Sequence, residues 1–314
     1  MFRVWLSSFW RKNKEKIKQL SKLLGTLTAI GLIAGMIFSS FDITSDTQET
    51  SKEIYKPQEV TISGGEVSEK KYKEEDAVIK KFVEFCNKQN SIEAYKLLSD
   101  ECKETLYPTL EDFENKYYKM IFTEKREYNI QAWINEKNYT TYRIRFTKDF
   151  MATGEYDGTE KFEDYITIVT DGENKKININ GYIKTEQLNK KTKTDELQIE
   201  VVSSDIYMDY VIYTISLENL TDKDILLDSV ENYNNIKLIG TNEVSYKIDS
   251  KNLRMFDLKI NENEQKNIVL TFKKTHGSDV TGKTIKFTKA IMDYLEYRKD
   301  KQYYNNFKEL TINL

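Results

Sequence analysis

Residues 23–41 contain no charged side chain, and their only hydroxyl-bearing members are Thr26, Thr28, Ser39 and Ser40. Wound as a helix, such a stretch spans roughly 28 Å, about the thickness of a bilayer's hydrocarbon core. It predicts a transmembrane helix over 23–41, with a short tail before it and a long polar chain after it. That division organises everything else in the sequence.

The flanks give the helix a direction. Residues 1–22 carry seven basic residues (Arg3, Arg11, Lys12, Lys14, Lys16, Lys18 and Lys22) against Glu15 alone, so the chain's net −3 leaves −9 for the remainder. The far flank opens Phe41-Asp42-Ile43-Thr44-Ser45-Asp46. Positive charge stays inside, so the N-terminus is expected in the cytoplasm and the C-terminal part outside the cell membrane, in a single pass. A removed signal peptide is the rival. Its apolar core should be shorter and end at an Ala-x-Ala-like site. Here Phe38 precedes Ser39-Ser40-Phe41, and no Cys follows for lipid attachment, so an uncleaved anchor is expected.

In the tail, Phe2, Trp5, Leu6 and Phe9 fall at helical spacing beside Trp10, followed by basic residues. That pattern fits an amphipathic helix on the inner leaflet, or a plain basic flank with interfacial Trp anchors. Gly31 and Gly35 form a GxxxG, which lets helices pack closely and is also ordinary glycine usage in membrane spans. Residues 42–71 lack apolar periodicity and hold Pro57 and Ser63-Gly64-Gly65, so they are expected to be a flexible linker.

A domain is expected from residue 72, opening with a helix over 74–88. Ala77, Val78, Phe82, Phe85 and Cys86 line one face. Asn90 with Glu93, Ser99 before Asp100, and Thr109 with Asp112 read as successive helix starts, with Pro108 as a stop. Leu110, Phe113, Tyr117 and Ile121 mark the inner stripe of the last helix. After Phe122 the period becomes two. Strands are expected at 128–134 and 139–147, and at 162–170 and 175–183 across the turn pair Asp171-Gly172. Residues 72–190 therefore read as an α+β domain, three helices covering a curved antiparallel sheet.

This order of elements is similar to the cone-shaped fold of nuclear transport factor two. The run Glu93-Ala94-Tyr95-Lys96-Leu97-Leu98-Ser99-Asp100-Glu101-Cys102-Lys103, with Pro108-Thr109-Leu110-Glu111-Asp112-Phe113 after it, resembles the second-helix region of bacterial domains of that kind. The resemblance covers about residues 73–184. It implies a fold and not a function, because that fold hosts enzymes, binding modules and assembly subunits. Its enzymes place acidic, Tyr or His groups inside the cone. The chain's single His, His276, lies far downstream in a loop. A tyrosine paired with a buried carboxylate is then the remaining option, with Tyr95, Tyr117 and Tyr142 as candidates; core packing is the alternative role for each. Cys86 and Cys102 are the only cysteines, on neighbouring helices. They are read either as a disulfide closing a loop of about 16 residues or as buried thiols. Neither reading provides a metal site.

Residues 190–195 read as a polar connection, and 195–314 as an all-β sandwich. Strands are expected at 196–202, 210–217, 225–230, 236–239, 244–248, 254–260, 267–272, 284–291 and 307–313. The block Asn219-Leu220-Thr221-Asp222-Lys223-Asp224-Ile225 and the late strand Lys266-Asn267-Ile268-Val269-Leu270-Thr271-Phe272 resemble the immunoglobulin-like domains of exported bacterial proteins, which implies a structural or interaction module. Tyr294, Tyr297, Tyr303, Tyr304 and Phe307 lie near Arg298, Lys299 and Lys301, as a binding loop or an aromatic cover.

No phosphate-binding glycine loop, HExxH or GxSxG occurs. An acidic remainder argues against nucleic acid as a partner. The expectation is a non-enzymatic, cofactor-free envelope protein, anchored to membrane lipid, presenting two modules to another envelope protein or to itself. Two alternatives stand beside it: a bitopic subunit of a conjugation or type IV secretion channel, whose relatives look similar up to about residue 184, and an enzyme or small-ligand binder using the cone.

Overall fold

The computed structural model describes residues 58–148, 162–172, 174–228, 235–251, 253–274 and 282–314. The expected membrane helix, Gly31 and Gly35, and the loop with His276 all lie outside the described residues. Among those described, no helix is long and apolar enough to cross a membrane. The chain is a strand-rich α+β protein.

The helices begin where hydroxyl and amide side chains can take up unpaired backbone N–H groups. α1 (Glu69–Asn87) starts at Ser68, which accepts from Lys71 N. α2 (Ser91–Lys96) starts at Asn90, which accepts from Glu93 N, and α3 (Asp100–Leu106) at Ser99, which accepts from Cys102 N. Thr109 accepts from Asp112 N and opens α4 (Leu110–Phe113). The chain then widens into a π turn, Glu114–Tyr118, and closes as α5 (Lys119–Ile121). The starts at Asn90, Ser99 and Thr109 were thus legible, while the π turn was not: it leaves the expected stripe of Phe113, Tyr117 and Ile121 buried.

Four antiparallel strands follow, in the order β3-β4-β5-β6: β3 (Arg126–Asn135), β4 (Tyr139–Lys148), β5 (Phe162–Asp171) and β6 (Asn174–Asn178). Their edges are covered by the chain itself. Residues 61–63 run along β3, with Ile62 N donating to Trp133 O (2.9 Å) and Asn135 N to Ser63 O (3.0 Å). On the other side Ser99 N donates to Ile177 O and Ile177 N to Leu97 O, both at 3.0 Å. These bonds pair part of each edge and shorten the open N–H and C=O rows that invite aggregation.

Residues 42–57 of the expected linker lie outside the described residues, and over 58–71 the chain is ordered structure and not a flexible linker. β1 (Gln58–Glu59) pairs with β2 (Glu66–Val67), and Val67 is fully buried. Polar composition hid this, because the segment is held by backbone pairing to β3 and needs few apolar side chains.

The second correction concerns β6. It stops at Asn178, and the chain turns through Asn180 (φ 58°) and Gly181 (φ 70°), with Tyr182 N donating to Ile179 O at 3.2 Å. The next strand, β7 (Tyr182–Lys193), joins a different sheet. The expected strand over 175–183 and the connection at 190–195 are therefore replaced by one turn and one long strand. That sheet runs β14-β9-β8-β7, with β8 (Leu197–Tyr207), β9 (Tyr210–Asn219) and β14 (Gln265–Lys273).

The facing sheet has β15 (Gly282–Ile291) near its centre, flanked by β11 (Ile236–Gly240), β16 (Phe307–Asn313) and β10 (Ile225–Leu226). Beyond these lie β12 (Ser245–Lys247) and β13 (Lys259–Ile260). One apolar core joins the two sheets, with Ile199, Val201, Ile215 and Leu270 from one and Leu238, Ile285, Phe287 and Ile312 from the other. The strand expected over 254–260 is instead a helical turn, α6 (Met255–Leu258), leading into β13. Arg254 N donates to Asp257 Oδ2 at 2.7 Å, a local bond that outcompetes pairing. Near the C-terminus α7 (Tyr294–Lys299) starts the aromatic cover: Tyr297 meets Tyr304 edge-on at 5.3 Å, and Tyr304 meets Phe307 at 5.1 Å. The described residues fall in a single compact unit.

Gly64 (φ 94°) sits where any Cβ would overlap the Asn135 carbonyl, whereas a Cβ at Gly65 (φ 69°) meets nothing within 4 Å. Gly64→Ala should therefore detach the 61–63 strap and cost about 2–3 kcal/mol in urea unfolding, against about 1 kcal/mol for Gly65→Ala. Equal losses would contradict this packing.

Candidate functional site

Two tyrosine–carboxylate pairs lie inside the helix-backed sheet. The first joins α1 to β4. Glu75, 3% exposed, accepts from Tyr142 OH (2.6 Å) and Thr140 Oγ1 (3.2 Å), and Lys71 Nζ stands 4.0 Å away. Burial raises the Glu75 carboxyl above its ordinary range, opposed by the Tyr142 hydrogen bond. The tyrosine is raised too, by burial and by the neighbouring carboxylate.

The second pair joins the π turn to β5. Tyr117 OH donates to Asp164 Oδ2 at 2.8 Å. The same oxygen accepts from Asn180 N (3.0 Å), and Oδ1 accepts from Tyr165 N (2.7 Å). Burial pushes Asp164 up to about 6, although every one of these donors favours the ionised form. Tyr117 is pushed well above its ordinary value by burial and by Asp164. The π turn swings Tyr117 towards the sheet, a use of such bulges common at special positions.

Asp164 therefore grips the Asn180–Gly181 turn, where the chain leaves one sheet for the other. Asn178, fully buried, reinforces it: its amide oxygen accepts from Ser99 Oγ (2.5 Å), and its nitrogen donates to Ile183 O (2.7 Å) across the turn. Gly181 N donates to Tyr165 O (3.1 Å), and Met208 N donates to Gly181 O (2.9 Å), which ties in the β8–β9 turn. Rings continue the contact, with Tyr182 against Tyr207 at 5.4 Å and Tyr207 stacked on Tyr210 at 4.3 Å.

Both pairs have the chemistry of general acids and bases; Tyr72 meets Tyr142 edge-on at 5.8 Å, and the Tyr117 ring is packed among other rings. Phe113 stacks on Tyr117 (6.0 Å), Tyr107 meets both rings, and Phe82, Phe122 and Phe146 close the interior, all of them buried. The Tyr107 hydroxyl is buried with no hydrogen-bond partner. Of the three tyrosines named from the sequence, Tyr117 and Tyr142 meet carboxylates, whereas Tyr95 donates to Tyr107 O at 2.7 Å. Asp164 and Glu75 were not foreseen.

Cys86 and Cys102 are both buried and free, so the disulfide is not formed. They face different neighbours: Cys86 lies by Tyr118, and Cys102 by Ile179 and Asp164. Burial raises both thiols, Cys102 to about 12, which leaves them unreactive small apolar groups. Among the described residues no group of His, Cys, Asp and Glu could hold a metal ion.

An open space lies elsewhere, at the seam between the two parts. A cavity of about 700 Å³ is bounded by Ile62 and Ile134 on one side and by Leu188, Ile206, Met208 and Val211 on the other. Lys137, Lys184, Lys190 and Lys274 also line it, with Glu136 and Glu186.

The raised Asp164 value fixes a sign. A carboxyl that holds its proton more tightly when folded contributes stability below its unfolded value near 4, and that stability is lost as pH rises through about 6. Between pH 5 and 7 the wild type should lose about 1 kcal/mol that Asp164→Asn does not lose, with the variant less stable throughout by about 2–4 kcal/mol. Urea unfolding at the two pH values measures both, and parallel pH dependence in the two proteins would contradict the assignment.

Neither a family model nor a curated protein sequence matches the chain. Among solved structures it is similar to a conserved hypothetical protein from Bacillus anthracis, at 14% identity and TM-score 0.26, over 32% of this chain and 89% of that one. It is also similar to a functionally unknown protein from Listeria monocytogenes EGD-e, at 9% identity and TM-score 0.29, over 42% of this chain and 85% of that one.

Proposed function

We propose that the chain is a membrane-anchored, non-enzymatic protein of the cell envelope. In this reading residues 23–41 hold it in the membrane and residues 58–314 stand outside as a presenting body for another envelope protein or for a second copy. The helix-backed sheet is a cone of the nuclear transport factor two kind, and the paired sheets are an immunoglobulin-like module. The observation that carries the reading is the way polar chemistry is used. The buried carboxylates and amides clamp turns and helices to one another, and aromatic side chains pack against their tyrosine partners. A body locked in this way presents surfaces at fixed spacing, which lowers the ordering cost of binding. The uncharged stretch at 23–41 with its basic flank supports the anchor and its direction.

Protease added to intact, wall-stripped cells tests the topology. The reading predicts digestion of the region after residue 41, with an N-terminal fragment of residues 1–41 kept in the membrane. Full-length chain surviving the digestion, or mature protein starting after Phe41, would contradict it.

A further inference from the structure

The seam cavity follows from how the sheets are cut. Ile206 and Val211 are register partners on the face of the β7–β8–β9 sheet that elsewhere packs on the opposite sheet, and Lys184 and Glu186 stand opposite Ile206 and Ser204 on β7. Among the described residues, Gly282 and Leu314 form the wall of the space on the side of the opposite sheet. Val211 is still covered by the core there, whereas Ile206 and Leu188 are only partly covered and border the space. The β3–β4 hairpin, through Ile134 and Tyr139, supplies the far wall. At about 700 Å³ the space falls within the range of cavities that enclose one small ligand, and it lies at a boundary between parts of a fold, where such sites concentrate.

The charges that line it are biased. Among the described residues that line it, four lysines stand against two glutamates, in a chain whose part after residue 22 is acidic overall. Both glutamates are engaged, Glu186 by Lys184 Nζ (2.5 Å) and Glu136 by Ser63 Oγ (3.2 Å). Lys137 and Lys190 are on the exposed rim. An apolar floor with a cationic rim favours a molecule with an apolar body and an anionic end, and it disfavours a cationic end by like-charge repulsion.

We propose that this seam cavity binds an anionic amphiphile, with its acyl chain on Ile62, Ile134, Leu188 and Ile206 and its carboxylate among Lys137 and Lys190. The site is separate from the packed interior that holds Asp164 and Glu75, and the assignment does not depend on the anchor.

A photoreactive dodecanoate carrying a diazirine tests this on the full chain in membranes, with labelled peptides mapped by mass spectrometry. Label should concentrate in the peptides that hold Ile62, Ile134, Leu188 and Ile206. Unlabelled dodecanoate should compete for it, and dodecyltrimethylammonium should not. Lys137→Glu/Lys190→Glu, both at exposed positions, should reduce labelling about fivefold or more, while Lys80→Glu/Lys81→Glu on the exposed side of α1 leaves it unchanged. Label spread along the chain, equal competition by the cationic amphiphile, or equal labelling of the two double variants would each overturn the proposal.

Discussion

Asp164 is the contact on which the rest of the architecture depends. A carboxylate buried to this degree, 7% exposed, is costly, and it is tolerated only where donors surround it. Here the donors come from three separate places: the π turn through Tyr117, the β5 backbone through Tyr165, and the crossing turn through Asn180. Because one small group satisfies all three, the turn at Asn180–Gly181 cannot shift without leaving buried polar atoms unpaired. The unmet cost of such atoms, and not the modest net worth of each hydrogen bond, makes the junction stiff.

The position of that turn explains the shape of the whole unit. Asn-Gly at positive φ makes a tight reversal of the hairpin kind, yet β6 and β7 go to different sheets. They part because Gly181 is bonded both to Tyr165 and to Met208, so the turn is shared between two layers. A small apolar cluster of Tyr165, Ile183 and Met208, with Trp133 packed against it, then seals the joint. The sealing is incomplete at the β3–β4 end, and the lysine-lined cavity occupies what is left.

Much of this was legible from local chemistry. Asn90, Ser99 and Thr109 were identified as helix starts from their side chains, since capping depends on a few adjacent residues, whereas Ser68, Arg254 and Asp293 were not. The long hairpin of β3 and β4 followed from alternation, and β9, β11, β12, β14, β15 and β16 were placed within a few residues, whereas β7 was missed and 254–260 was read as a strand. What escaped depends on distant partners. The strap at 61–63 has no apolar pattern because its bonds are to the backbone of β3. The strand read through 175–183 overrode the Asn180-Gly181 signal, a short-range turn marker present in the sequence, since the alternation of Ile177, Ile179 and Ile183 appeared continuous. Asp164 was hidden inside a strand of ordinary composition. Only the fold brings Tyr117 and Asn180 to it, from 47 and 16 residues away along the chain.

The account therefore stands on the rigidity of one turn, which amide hydrogen exchange reads directly. If the turn is clamped as described, the amides of Gly181 and Met208 exchange only through unfolding of the entire unit, with protection matching that of the β8–β9 core. Exchange at those two amides at the rate of an exposed loop, while the core strands stay protected, would contradict the account.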